Sequence, residues 1–228
     1  MADKKNAGNS EEVMIAKAKD FWTRYSKPVM IAGIAIILLG GGYYGYKNFI
    51  LKPKENKASE EMFRAEEYFR NDSLNLALNG DGQYPGFLKI ISKYGGTKSA
   101  NLSKYYAGVC YVKLGDNTNA LKYLKSFSTS AKQVQARAYK LMADAYADSD
   151  KSSDALTYYK KAAHYFEKDK AASSEALFLG AYLADRVLKN KKEAVSMYKE
   201  LLKNFPESQY ASDAEKYLAQ SGVYSIDN

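Results

Sequence analysis

Residues 101–130 of this 228-residue chain reappear at 136–165 with each equivalent position shifted by 35. Gly108, Tyr111, Ala120 and Leu124 recur as Ala143, Tyr146, Ala155 and Tyr159. A constant step of this size is close to the period of about 34 residues of helix-turn-helix repeats, whose units bury their apolar faces only against neighbours. The rest of the chain must therefore supply about three such units and a closing element. No stretch alternates like a strand, and with only 4 Pro long helices are unobstructed.

The first unit is carried by "YYAGVCYVKLGDNTNALKYLKSF", where Gly108 and Ala120 are small at the point where two helices must cross and Tyr111 fills the space beside them. Its turn "KLGD" offers Gly115 for the positive φ that ends a helix. "YKLMADAYADSDKSSDALTYYKKA" repeats the scheme with Tyr139, Met142, Ala143, Tyr146, Ala155 and Ala162. A third unit keeps Ala194, Tyr198, Leu201 and a closing Pro206, but its first helix departs from the pattern, which implies a slipped register or a wider crossing. The expected units are 101–135, 136–170 and 173–206. A degenerate pair precedes them at 58–98, interrupted by the loop "NGDGQ", and a capping helix follows at 208–221, with Tyr217 and Leu218 turned inward.

Upstream the chain changes character. Between Lys27 and Lys47 lie 19 residues without a charge, "PVMIAGIAIILLGGGYYGY". Residues 29–46 would span about 27 Å as a helix, enough for a thin hydrocarbon core. Phe21, Trp22 and Tyr25 on one side and Tyr43, Tyr44, Tyr46 and Phe49 on the other are placed as interfacial belts. A cleaved signal peptide is the competing reading, since Gly40 and Gly42 supply small residues for cleavage, but the preceding 27 residues are long for one and carry both signs of charge. The expectation is an uncleaved transmembrane helix at 28–47, after a charged, partly helical tail at 1–27 and before a charged linker at 48–57. Within the tail, 1–8 reads as disordered and Asn9 with Glu12 as a helix start. Lys17, Lys19, Arg24 and Lys27 are matched by Lys47, Lys52, Lys54 and Lys57, so the flanking charges leave orientation undecided.

The net charge of +8 is concentrated in the first 57 residues; residues 58–228 hold 24 Lys+Arg against 21 Asp+Glu, without a basic run of the kind that follows a phosphate backbone. Nucleic acid is not an expected partner. The single cysteine, Cys110, lies in an apolar stretch and reads as a buried structural thiol. One histidine, His164, precludes a two-histidine metal site and has no catalytic partners in its sequence neighbourhood. "GDGQYPG" and "GGTKS" lack phosphate-loop or dinucleotide spacing. Pairs such as Glu60 and Glu61, or Glu66 and Glu67, sit among Arg64 and Arg70 as solvated helix faces. No catalytic residue, cofactor site, metal site or small-molecule substrate is expected, and the chain is not expected to be an enzyme.

The repeat units resemble the tetratricopeptide family. The resemblance implies an all-α protein, with the N-terminal transmembrane helix followed by an α-solenoid of helix pairs that binds other proteins in a groove lined by first helices. Family geometry points Tyr105, Val109 and Lys113, then Arg137, Lys140 and Asp144, then Leu183 and Arg186 into that groove. The mixture suits an extended peptide with apolar and acidic features, and the asparagine-and-lysine clamp of chaperone-tail-binding members is missing. The whole layout, a tail ending in "KDFWTRYSKP", one anchor and a repeat domain, resembles the ancillary Sec-translocon subunits of bacterial inner membranes (YfgM-like). That resemblance implies a cytoplasmic N-terminus and a periplasmic C-terminal domain. The implied partners are the Sec translocon, a periplasmic chaperone and client polypeptides, with membrane lipid around the anchor. A scaffold for envelope assembly or cell division, or a cytosol-facing targeting receptor, would use the same parts.

Overall fold

The computed structural model describes residues 4–224, with side chains from residue 12 onward. It falls into two compact units, Met1–Lys54 and Glu55–Asn228.

The first unit is helical from the start of the described chain. α1 covers Lys4–Gly45 and is followed by a π-helical turn, Tyr46–Leu51. The helix begins at Lys4 and not near Asn9, so residues 4–8 are helical where disorder was expected; residues 1–3 of that segment lie outside the described residues. Pro28 is accommodated inside α1 at the cost of one backbone hydrogen bond. An eighteen-residue window in this region has a mean hydropathy of 1.6 with none of it buried, so the helix is long and apolar enough to cross a membrane. Ile31, Ile36, Ile37, Leu38 and Leu39 are all exposed, as are the flanking Trp22, Tyr43, Tyr44 and Phe49. Gly33, Gly40, Gly41, Gly42 and Gly45 have open space where a Cβ would stand.

The second unit is a series of antiparallel helix pairs. α2 (Lys52–Arg70) leads into two short helices, α3 (Leu74–Asn79) and α4 (Phe87–Lys93). Residues 52–57 of the segment read as a linker form the first turns of α2. Three hairpins follow: α5 (Lys98–Lys113) with α6 (Asn117–Lys125), α7 (Lys132–Ala147) with α8 (Ser152–Tyr165), and α9 (Lys170–Arg186) with α10 (Lys191–Asn204). α11 (Ala211–Gln220) ends the series. Among the described residues there is no strand, only an isolated bridge between Gly80 and Pro85. The sequence reading missed α3, which is too short to show a period.

Each hairpin closes on a small residue. A Cβ on Gly108 would stand 2.5 Å from the Leu124 Cγ, and Leu124 is fully buried. Ala143 and Ala155 do the same work in the next pair, both at 0% exposure. In the third pair the small residue is Gly180, where a Cβ would stand 2.6 Å from the Met197 Cε and 3.1 Å from the Tyr159 Cβ. Its crossing is therefore close, not wide. The irregularity is one of step: first helices begin at Lys98, Lys132 and Lys170, so the step lengthens from 34 to 38. Both Gly108 and Gly180 stand eleven residues after their N-caps, Thr97 and Asp169, whose side chains accept from Ala100 N and Ala172 N.

The turns inside the pairs share one device. A helix must satisfy its last carbonyls, and a residue in the left-handed conformation folds two N–H groups back onto them. Gly115, at φ 76°, donates to the Val112 carbonyl while Asp116 donates to the Tyr111 carbonyl. Asp72 and Asp150 repeat both bonds after α2 and α7. Lys189, at φ 55°, holds the looser turn after α9, where Asn190 reaches back to the Ala184 carbonyl.

Packing in the array is layered. α5 approaches α7 and α7 approaches α9, whereas no two second helices come as close. The first helices thus form the inner layer and the second helices the outer one. Stacked tyrosines repeat with the units: Tyr111 lies on Tyr123 at 5.7 Å, and Tyr146 on Tyr158 at 5.3 Å. At the far end Tyr217 of α11 stacks on the buried Tyr198 at 5.6 Å, and Leu218 is buried beside it. His164, at the end of α8, bridges to Glu200 of α10 at 2.7 Å. Burial pulls its imidazole pKa down, but the Lys160 carbonyl and the Glu200 carboxylate together outweigh burial and hold it above its ordinary value.

Gly108→Val is expected to lower unfolding stability by about 2–3 kcal/mol through overpacking against Leu124. Lys189→Gly is expected to raise it by about 0.5–1 kcal/mol by relieving the left-handed lysine. Urea midpoints of the two variants, moving in opposite directions, check both.

Candidate peptide-binding groove

The inner layer carries a cavity of about 390 Å³. Tyr105 and Val109 of α5, Arg137, Lys140 and Leu141 of α7, and Ala172 and Glu175 of α9 line it, with Gln209 from the chain before α11. These side chains come together because successive first helices touch, so one exposed stripe from each meets its neighbour. A second cavity of about 580 Å³, between the start of α9 and the chain from Asn204 to Tyr210, shares Ala171 and Gln209 with the first. Together they form a groove that crosses the inner layer and ends beside α11.

Of the eight residues assigned to the groove by family geometry, Tyr105, Val109, Arg137 and Lys140 line the cavity. Asp144 is one turn further along α7, partly buried beneath Lys140 at 3.1 Å. The other three lie elsewhere. Lys113 pairs with Asp72 at 2.7 Å and stands over the Phe69 ring. Leu183, 9% exposed, belongs to the core with Met142, Tyr146 and Tyr159 rather than to the groove. Arg186 lies over the Tyr217 ring at 5.1 Å and donates to the Gln220 side chain. Leu183 and Arg186 lie too far along α9: by the observed step of 38 they match Ala145 and Asp148 at the end of α7, whereas the α9 residues in the cavity, Ala172 and Glu175, stand 35 on from Arg137 and Lys140. The N-cap Asp169 and the crossing Gly180 were the signals that could have set the register.

The floor of the groove is a charge network. Lys140 lies 3.1 Å from both Asp144 and Glu175, and the Tyr159 hydroxyl donates to Asp144 at 2.8 Å. Burial alone would lower the Lys140 pKa, but its two carboxylate partners outweigh that and raise it. Burial raises the Asp144 pKa, and it outweighs the lowering by Lys140 and Tyr159. Tyr159 is raised by burial first and by Asp144 second. Lys140 is thus engaged from below and the exposed Arg137 is the cation presented at the cavity mouth. Burial also raises the Tyr105 hydroxyl, with Arg137 partly opposing it. The cavity places the polar groups of Arg137, Gln209 and Glu175 beside the apolar faces of Tyr105, Val109 and Leu141, a mixed lining of the kind that binding sites use.

Elsewhere, Cys110 is fully buried and its thiol is pushed up to about 12, chiefly by burial, so it is inert at neutral pH. Among the described residues no group of three His, Cys, Asp or Glu could hold a metal ion. "NGDGQ" is an ordered loop, in which Asp81 accepts from Gln83 N, Tyr84 N and the Tyr68 hydroxyl.

Two tyrosines give a paired test. Tyr159→Phe deprives Asp144 of a donor and is expected to cost about 1–2 kcal/mol of stability. The Tyr198 hydroxyl is buried without a partner, so Tyr198→Phe is expected to be neutral or to stabilise by about 1 kcal/mol. Equal losses in thermal or urea unfolding would contradict the assignment of the network.

The family model of the tetratricopeptide repeat matches residues 103–130 and 175–208. The chain therefore carries tetratricopeptide repeats, which are protein–protein interaction modules and typically not enzymes. No curated protein matches the chain. The first matched segment covers most of α5 and all of α6, and the second covers most of α9 and all of α10, the pair whose longer step had hidden its register.

Proposed function

We propose that this chain is an ancillary subunit of the bacterial Sec translocon. In this reading α1 anchors it in the inner membrane with the N-terminus cytoplasmic, and the repeat domain is periplasmic. The inner-layer groove engages polypeptides emerging from the translocon and passes them to a periplasmic chaperone. The observation that carries the reading is the groove itself: a solvent-open channel across first helices, with apolar walls, one presented cation and a floor whose charges are mutually compensated. Such a surface suits extended chain of varied sequence better than one fixed anionic ligand. The exposed apolar run of α1 and the resemblance of the layout to translocon ancillary subunits support this location.

Two outcomes test it. Protease added to intact spheroplasts is expected to remove the C-terminal domain and leave the anchor; protection until lysis would put the domain in the cytosol. Affinity purification of the full chain from native membranes is expected to recover translocon subunits and translocating polypeptides. Tyr105→Ala with Arg137→Glu is expected to reduce the polypeptide yield about tenfold, as for loss of two central anchors. Recovery of no translocon component would reject the reading.

A further inference from the structure

The two cavities of the inner layer share only Ala171 and Gln209. Gln209 is held in place from both sides. Phe205 is buried in the core before it, and Tyr210 after it stacks on Phe178 at 5.0 Å. Between these anchors Ser208 N donates to the Phe205 carbonyl and Ala211 N to the Ser208 carbonyl. Backbone fixed in this way presents the intervening side chain from a defined position. The Gln209 amide is nevertheless exposed and makes no hydrogen bond with the rest of the described chain.

Net charge selects no ligand here. The first cavity is lined by Arg137 and Lys140 against Asp169 and Glu175, and the second by Lys170 against Glu207, so each lining sums to zero. Apolar walls flank the junction, Tyr105, Val109 and Leu141 on one side and Phe205, Pro206 and Tyr210 on the other. At the junction itself stand one short side chain and one uncharged amide. A primary amide offers two N–H donors and a carbonyl acceptor, the complement of the C=O and N–H of a peptide unit. Ala171, exposed and small, lets a backbone come close enough to use them.

Given the proposed engagement of polypeptides by this groove, on which the inference rests, we propose that Gln209 reads the main chain of an extended segment laid across both cavities. The side chains of that segment enter the cavities to either side. Main chain is common to every polypeptide, and cavities of about 390 and 580 Å³ accept side chains of differing shape, so one groove serves chains of varied sequence. The same arrangement rejects folded protein. In a helix or a sheet the backbone N–H and C=O groups are already paired and have nothing to offer Gln209. Gln209 is thus a selectivity residue for unpaired backbone.

The test uses the full chain in lipid nanodiscs, read by fluorescence anisotropy. The probe is a labelled, unstructured peptide of glycine and serine carrying two leucines, with a counterpart in which the bonds between the leucines are esters and so lack N–H donors. Gln209→Ala is expected to weaken peptide binding about tenfold, as for loss of two neutral hydrogen bonds. The wild type is expected to prefer peptide over ester about fivefold, and Gln209→Ala to bind the two nearly alike. With phenylalanine or valine in place of leucine, the Gln209→Ala loss is expected to stay the same, whereas the loss on Tyr105→Ala changes with the side chain. Ala171→Trp, which fills the junction, is expected to weaken binding at least about tenfold. Gln209 is exposed and unbonded, so its replacement is expected to leave the urea midpoint unchanged. Three results overturn the inference: binding undiminished by Gln209→Ala, binding undiminished by Ala171→Trp, or an ester penalty that persists in full in Gln209→Ala. If Tyr105→Ala with Arg137→Glu still weakens the peptide, the polypeptide groove stands without it. No binding by the wild type, or binding that no groove substitution weakens, overturns both.

Discussion

Gly108 lies where any side chain would intrude on the buried Leu124, and Gly180 lies where one would intrude on Met197. A helix pair can cross this closely only if one partner has almost no side chain at the contact. The consequences spread from there. Close crossing turns the apolar stripes of both helices inward and lets aromatic residues fill the flanks, as Tyr111 and Tyr123 do in one unit and Tyr146 and Tyr158 in the next. It brings successive first helices into contact, and that contact is what assembles Tyr105, Val109, Arg137 and Glu175 into one groove.

The same geometry explains why the partly buried charges beneath the cavity lie where they do. Lys140, Asp144, Glu175 and Tyr159 come from three helices, and the network exists only while α7, α8 and α9 keep their spacing.

The fold was legible because it rests on residue size at fixed spacing. The step of 35 between Gly108 and Ala143, or between Tyr111 and Tyr146, is a direct trace of helix pairs, and Gly115 marked its turn by composition alone. Asp150 and Lys189 take the same left-handed conformation without a glycine to announce it. Of the residues assigned to a groove, Tyr105, Val109, Arg137 and Lys140 line the cavity, and a step of 35 from Arg137 and Lys140 reaches its Ala172 and Glu175, whereas Leu183 lies further along α9 and packs into the core.

The central claim is that the inner layer receives polypeptide. A photocrosslinking amino acid placed at Val109, and separately at Thr157 on the outward side of α8, in the full chain in native membranes tests it most directly. The account expects adducts with a range of polypeptides from position 109 and none above background from position 157. Equal polypeptide adducts at both positions, or none at 109, would contradict it.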